Sequence, residues 1–414
     1  MVTAVHQRLQ EMTERITARS RDGRKEYMAR IERARQASVT RKQLFCRHLA
    51  NGFAGRSSDS KKHLLGEGAP NFAIVSAYSE MLSAYQPCLT YLEIIRNAAH
   101  NLGAEVQFSD AVSALCRGMA QGQDGAGFSH NVFDGILYVG VCDKVVPNLL
   151  IDALLFGHLP AIWVPAGTAA TDLPNSDKVS THQILMEIMG LQLPGSSFVN
   201  PELPLSDALI CVAVEKLNDC TKAGQLTPLA NVMSVKTVVN GMVGLLATGG
   251  STYHSIYMIA VAKAAGITID SQDFADLSAI VPLLCRIYPN VEVGIQHFYA
   301  AGGMPFLVQE LLKQGLLHED VRTVFGEGLQ AYRQEPFLVD GAVQWRPCPA
   351  ESLDNSLLPP FSAESGLALR NGAMGRAVIK VSAVRSEHRK VAAPGIAFSD
   401  QGELSPCPVL LANQ

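Results

Sequence analysis

The apolar run Val132-Phe133-Asp134-Gly135-Ile136-Leu137-Tyr138-Val139-Gly140-Val141 constrains this chain more than any other stretch. It delivers Cys142-Asp143-Lys144, a short helical pattern follows, and a second run, Pro160-Ala161-Ile162-Trp163-Val164-Pro165, comes after that. A strand that ends in a thiol, a carboxylate and an amine, beside a turn and ahead of a helix, is where an open α/β sheet presents its reactive groups. The pattern predicts a ligand site at this strand end.

The rest of the chain supplies partners for that strand. Asn71 to Tyr78 reads as a buried strand, and Pro87 opens a helix with Leu92, Ile95 and Ala99 on its apolar side, ended at Gly103. Strand, polar turn and helix in that order give a β-α unit facing the same sheet edge as Cys142. A short unit from Ala111 to Leu115 leads into the glycine-rich loop Cys116 to Gly125, whose glycines permit close backbone approach to a ligand. Further helices are predicted at Gln183–Met189, Asp207–Leu217, Val235–Leu246 and Ile256–Ala264, and after Met304-Pro305. Between two of them lies Ala247-Thr248-Gly249-Gly250-Ser251-Thr252, either an anion cradle or a tight helix–helix turn capped by a hydroxyl.

Ahead of this body, Leu9, Met12 and Ile16 mark a surface helix, and a second runs to about Arg35 after a break at Asp22-Gly23. Residues from Glu319 to Glu351 look irregular, and from Gly372 the texture turns to short β signals such as Arg376-Ala377-Val378-Ile379-Lys380-Val381. The expected architecture is therefore α/β. Residues 1–66 form a helical segment, 67–366 a main domain built on an open, mostly parallel sheet with many helices, and 367–414 the truncated start of a β-rich domain.

Composition narrows the function. Of the 414 residues 48% are apolar and 17% charged, and the formal charge of -4 with no basic tract among aromatics gives no nucleic-acid partner. No apolar stretch is long enough to cross a bilayer and the opening lacks a signal-peptide core, so no membrane partner and a cytoplasmic location are expected. Nine dispersed cysteines without a CxxC pair argue against a disulfide framework and a zinc knuckle. The sequence has no Gly-x-Ser-x-Gly elbow, P-loop or HExxH.

At the strand end, the Cys142 thiolate suits an iron or zinc site only with further ligands, for which Cys116 and Cys88 are candidates by position, although Cys88 reads first as a buried thiol. Asp143 and Asp124 could share a divalent cation through oxygen ligands. Each of His130, His158, His182 and His254 reads on its own as an ordinary hydrogen-bonded histidine.

Phe133-Asp134-Gly135, Gly140 to Lys144, Phe156 to Ala161, Leu193-Pro194-Gly195-Ser196-Ser197, Ala247 to Thr252 and Ala301-Gly302-Gly303 together resemble the dihydroxy-acid and phosphogluconate dehydratase family, with wording closest to its phosphogluconate branch. The resemblance implies a hydro-lyase of gluconate metabolism that takes 6-phospho-D-gluconate to 2-dehydro-3-deoxy-6-phospho-D-gluconate and water. It implies a 4Fe–4S cluster with Cys142 as a ligand, Asp143 and Lys144 as catalytic groups, and, as in the dihydroxy-acid branch, Mg2+ served by Asp143 and by Lys144 in carboxylated form. It also implies Ser196, Ser197, Gly249, Gly250, Ser251 and Thr252 as substrate-binding, a sugar-acid phosphate as the small-molecule partner, and a homodimer. The chain departs from the family at Arg117, where an aspartate is usual, and at Ser79 and Tyr253, where asparagines are usual. Segments carrying a second cluster cysteine, and the later glutamate and serine, have no counterpart. These departures support an alternative, a truncated and catalytically inactive relative acting as a structural or interaction protein.

Overall fold

The computed structural model describes residues 4–37, 57–65, 69–78, 85–111, 132–166, 181–285, 295–348, 363, 365–373, 375–384, 386–388, 390 and 392. Its centre is a four-stranded sheet of β1 (Asn71–Ser76), β2 (Glu105–Ala111), β3 (Gly135–Gly140) and β4 (Ala161–Pro165), in the order β2-β1-β3-β4. All three pairings are parallel. Every residue of β1 and β3 is buried, as expected of strands covered by helices on both faces.

Helix α1 (Pro87–Asn101) links β1 to β2, and α2 (Val145–Leu155) links β3 to β4. The chain therefore winds outward from β1 in one direction and from β3 in the other, so β1 and β3 are neighbours across the point where the order reverses. At such a point the connections diverge and leave a crevice beyond the carboxyl ends of the strands. The strand end at Cys142 borders this crevice.

The expected α/β architecture with a smaller β-rich part is present, with local differences. The edge strand β2 occupies Glu105–Ala111, which the sequence pattern does not mark, while residues 112–115 of the short unit expected at Ala111–Leu115 lie outside the described set. Its alternation of Glu105 and Gln107 with Val106 and Phe108 suits a strand with one neighbour.

Residues 4–37 hold one helix, Gln7–Ala37, where a break at Asp22-Gly23 was expected. Gly23 is a crossing point: a Cβ there would stand 3.0 Å from the carbonyl oxygen of Gly266, and one on Gly266 only 2.4 Å from that of Gly23. A glycine inside a helix costs only about 1 kcal/mol, so the helix runs through it and gains the close approach. Leu9, Met12, Ile16, Tyr27 and Ile31 join the same core as the sheet.

Beyond the sheet come α3 (Thr181–Ile188), α4 (Pro204–Thr221), α5 (Val235–Thr248), α6 (Tyr253–Ala264) and α7 (Ser271–Ser278). The region expected to be irregular contains an antiparallel hairpin, β5 (Gln334–Val339) with β6 (Ala342–Pro347). Its turn is Asp340-Gly341, both at positive φ (50° and 81°), as a two-residue type I′ turn requires. A second hairpin, β7 (Leu367–Gly372) with β8 (Gly375–Lys380), is tied to α7. The Ser278 hydroxyl hydrogen-bonds the Leu367 carbonyl and meets the Ser365 hydroxyl at 2.8 Å, and Leu367 is buried in the core. Residues 395–398, another expected β signal, lie outside the described set.

Candidate active site

The chain leaves β3 through a bend that L-residues rarely adopt. Cys142 has φ 105°, a conformation whose strain is on the order of 1–3 kcal/mol. Two hydrogen bonds hold it: the Cys142 N–H donates to His182 Nε2 at 3.2 Å, and its carbonyl accepts the Val146 N–H at 3.2 Å, in the first turn of α2. The bend turns Asp143 toward the start of α3 and makes Lys144 the residue that precedes α2.

Asp143 Oδ1 receives the main-chain N–H of His182 at 3.2 Å and the ring Nδ1–H of the same residue at 3.1 Å. His182 has 1% of its surface exposed. Because Nε2 accepts from Cys142, the proton must sit on Nδ1, and both ring nitrogens are committed. His182 therefore acts as a clamp between the two chain segments rather than as a proton acceptor.

A second imidazole faces the same oxygen: His254 Nε2 stands 3.9 Å from Asp143 Oδ1. His254 is 1% exposed, and neither of its ring nitrogens has a hydrogen-bond partner among the described residues. Burial drives its pKa down to about 4 against the pull of Asp143, so the ring is neutral at pH 7. Burial pushes the Asp143 carboxyl up, but the His182 hydrogen bonds and the positive charge available on both rings outweigh it, leaving the pKa below the ordinary value. With His254 neutral, the pinned contact with His182 does most of that work at pH 7.

His254 lies in the first turn of α6, just past the Gly249-Gly250-Ser251-Thr252 turn. Gly249 is left-handed (φ 57°) and closes α5. A Cβ on Gly250 would fall 2.5 Å from Thr181 Cγ2 and 2.8 Å from Leu245 Cδ1, so any side chain here would push both of these side chains aside. The Ser251 N–H donates to Thr181 Oγ1 at 3.0 Å, which fastens the turn to the residue before His182. The segment is thus a helix–helix turn, and it lies against the Asp143 cluster with the Thr252 side chain making no cap bond.

Two lysines complete the surroundings. Lys144 Nζ lies 5.7 Å from the centre of the Tyr253 ring. Lys380, the last residue of β8, is half-buried; burial lowers its pKa to about 8, with Asp143 pulling the other way. Ser196 and Ser197 are buried elsewhere in the fold: the Ser196 hydroxyl donates to the Leu193 carbonyl at 2.7 Å, and the Ser197 hydroxyl is hydrogen-bonded to Glu187. Asp124, Cys116 and Arg117 lie outside the described residues.

The expected 4Fe–4S cluster, and the metal role of Cys142, Asp143 and Asp124, must be corrected. Among the described residues no group of three or more histidine, cysteine, aspartate or glutamate side chains is arranged to hold a metal ion. The physical reasons are local. Cys88 sits in α1 with no exposed surface, and burial raises its pKa to about 12, so it offers no thiolate to a cluster. The lone pair of His182 Nε2 is taken by an N–H, and Asp143 Oδ1 is turned to two more. Donor lone pairs point at protons rather than at a common centre, so the described residues do not fit the group.

Sequence reasoning treated His182 and His254 as isolated and did not single out Lys380. No spacing marks them: the two histidines come from distant segments and meet at Asp143 because α3 and α6 both begin near the strand end of β3.

Among known protein families, the one described as "Dihydroxy-acid/6-phosphogluconate dehydratase N-terminal" matches residues 69–180 and 176–332. The phosphogluconate dehydratase of Escherichia coli (strain K12) is 44% identical over 455 aligned positions, covering 96% of this chain and 76% of the relative. That of Pseudomonas aeruginosa is 43% identical, covering 97% and 75%. The dihydroxy-acid dehydratase of Carboxydothermus hydrogenoformans is 25% identical, covering 80% and 68%. An alignment of 455 positions exceeds the 414 residues of the chain, so the E. coli relative has internal segments without a counterpart here.

Proposed function

The chain belongs to the dihydroxy-acid/6-phosphogluconate dehydratase family, and from that premise we propose that its β3 strand end binds 6-phospho-D-gluconate and serves the conversion to 2-dehydro-3-deoxy-6-phospho-D-gluconate and water. The observation that carries this reading is the convergence of His182, His254 and the Gly249–Thr252 turn on an ionised Asp143, at the crevice where strand order reverses. The reaction removes the proton from C2, beside the carboxylate, and hydroxide from C3. A carboxylate held at low pKa is a weak base, so Asp143 acts by position and charge. Lys144, the neighbouring amine, is the group that exchanges a proton with the substrate. Gly249 and Gly250 shape the turn, whose N–H groups are taken by Leu246, Leu245 and Thr181, and the hydroxyls of Ser251 and Thr252 are the donors it offers the ligand. The domain of residues 67–366 carries these groups, flanked by segments 1–66 and 367–414, and a homodimer is the proposed assembly. Among the described residues no helix is long and apolar enough to cross a membrane.

A second reading, binding without turnover, is favoured by one observation, the described donors that do not fit a cluster. Protein purified without oxygen is tested for heat of binding with 6-phosphogluconate and for 2-keto product, with Asp143→Asn as the control. Product above the control supports dehydration, and binding without product supports the second reading. Neither heat nor product would remove the substrate assignment.

A further inference from the structure

We propose that the cleft at the far end of α5 from Asp143 is a second ligand site, which takes a zwitterionic amino acid with Arg333 on its carboxylate and Glu319 and His318 on its ammonium. The inference goes beyond the proposed function and does not rest on it.

The cleft, of about 680 Å3, lies between Ala4 and Val5, the start of α5, the end of the helix Gly303–Lys313 and the loop over residues 317–333. That volume is in the range of small-molecule sites. α5 spans 14 residues, so its first turn, which carries Lys236, stands about 20 Å from the Gly249–Thr252 turn at its other end. The cleft is therefore separate from the Asp143 cluster.

Among the described residues six charged side chains line it, and four of them have a counter-charge in contact. Lys236 contacts Asp320, Lys313 meets Glu310 at 2.6 Å, and Glu327 meets Arg322 at 3.0 Å. One charge of each sign is left: Arg333 and Glu319 take part in no ion pair among the described residues. Both are held in place. The Glu319 carbonyl accepts the N–H groups of Val321 at 2.9 Å and Leu329 at 3.2 Å, and Arg333 Nη1 donates to Gln330 Oε1 at 3.0 Å. Leu329 and Gln330 are consecutive, so the loop that places Glu319 also places the guanidinium. Arg333 is half-buried, and its Nε–H is shut off from solvent without a hydrogen-bond partner. A cation so placed without a counter-ion is costly, and a ligand carboxylate would supply one.

His318 is an independent pointer to a ligand. It lines the cleft with 1% of its surface exposed. The Thr13 hydroxyl spends its proton on the Leu9 carbonyl at 2.8 Å, so it accepts the His318 Nε2–H at 2.7 Å. The lone pair is therefore on Nδ1, which has no partner among the described residues. Burial, helped by the Lys236 ammonium, lowers the pKa of the ring to about 4, so Nδ1 is an acceptor at pH 7. Asn240 of α5 fixes the residue by accepting its main-chain N–H at 2.8 Å and donating to its carbonyl at 2.9 Å. An acceptor beside Glu319 suits an ammonium, which brings three donors. A simple anion would satisfy Arg333 but meet Glu319 and a lone pair, and a simple cation would leave Arg333 as it is. A zwitterion answers both ends.

The test uses the full-length protein, each standard amino acid in turn, and acetate and methylammonium as probes carrying a single charge. Binding is measured by calorimetry for the wild type, Arg333→Met, Arg333→Lys and Glu319→Gln, with folding checked by circular dichroism. At least one amino acid is expected to bind the wild type about tenfold or more tighter than either single-charge probe. Arg333→Met and Glu319→Gln should each weaken that amino acid by about tenfold, and Arg333→Lys, which keeps the charge, by about threefold or less. 6-Phosphogluconate should not displace it. No saturable binding by any amino acid, acetate binding as tightly, or full affinity kept in Arg333→Met or Glu319→Gln overturns the inference. Displacement by 6-phosphogluconate would place the amino acid at Asp143 and overturn it equally. If one variant does not fold, the other decides, and none of these outcomes bears on the substrate assignment.

Discussion

Glu187 offers a stability test whose sign is set by its surroundings. It lies near the end of α3 with no exposed surface, and accepts the Gly195 N–H at 2.7 Å, the Ser197 N–H at 3.1 Å, Gln192 Nε2 at 3.4 Å and the Ser197 hydroxyl. Burial nevertheless raises its pKa from 4.5 to about 7, the four hydrogen bonds offsetting only part of the desolvation. A carboxyl whose folded pKa exceeds its unfolded value binds its proton more tightly when folded. Its contribution to stability is therefore complete below about 4.5, is lost as pH rises toward about 7, and is flat above that. At about 1.4 kcal/mol per pH unit the window is worth about 3 kcal/mol. In Glu187→Gln the side chain keeps its volume but cannot titrate. Its amide turns an NH2 toward N–H donors, which costs about 1–3 kcal/mol through one unsatisfied buried group. Urea unfolding of both proteins at pH 5, 6, 7 and 8 gives the difference directly, and the titration of every other group cancels in it. The variant should be clearly less stable at pH 5 and should recover by about 2.5 kcal/mol relative to the wild type by pH 8. A difference that stays constant across this range would refute the assignment of a proton to Glu187.

His182→Ala should lower stability by about 2–4 kcal/mol, because the strained Cys142 loses its N–H acceptor and Asp143 loses both ring and orientation. The Asp143 carboxyl, followed by carbon-13 chemical shift, should titrate at higher pH than in the wild type, since burial is then opposed by less; an unmoved titration would contradict the clamp. Asp273, with 1% of its side chain exposed, accepts Arg15 at 2.9 Å, the Asp270 N–H at 2.9 Å and a short contact from Arg19, and so anchors the N-terminal helix. Asp273→Asn should cost about 1–3 kcal/mol, less than a fully buried pair because both arginines reach water, and should speed proteolytic cleavage within residues 7–37. Unchanged cleavage would mean that the apolar face alone holds the helix.

The sheet and its strand end were legible because the signals are local. Two apolar runs flank a short helix that begins beside a proline, and the polar triplet at Cys142 stands where the first run stops. The β5–β6 hairpin had its own signal, Asp340-Gly341, but Pro336, Pro347 and the half-exposed strands hid the alternation around it. The N-terminal helix was divided at Gly23 because a glycine chosen for a crossing and one chosen for a break look the same in sequence. Cys88 could have been read more fully: with Tyr91, Ile95 and Ala99 at helical spacing it falls on the stripe that α1 buries, away from any ligand. The resemblance carried the family and the class of reaction, but a family's ligand set does not show whether this chain's donors still converge.

What no local signal could supply is the assembly around Asp143, and its logic lies in how each segment is tied down. Cys142 keeps its strained turn only while α3 presents His182. Residue 181, one position earlier, fastens the turn between α5 and α6, and that turn brings His254 to the same carboxylate. Moving any one of these three segments moves the other two, because Thr181 and His182 are adjacent and bind different partners.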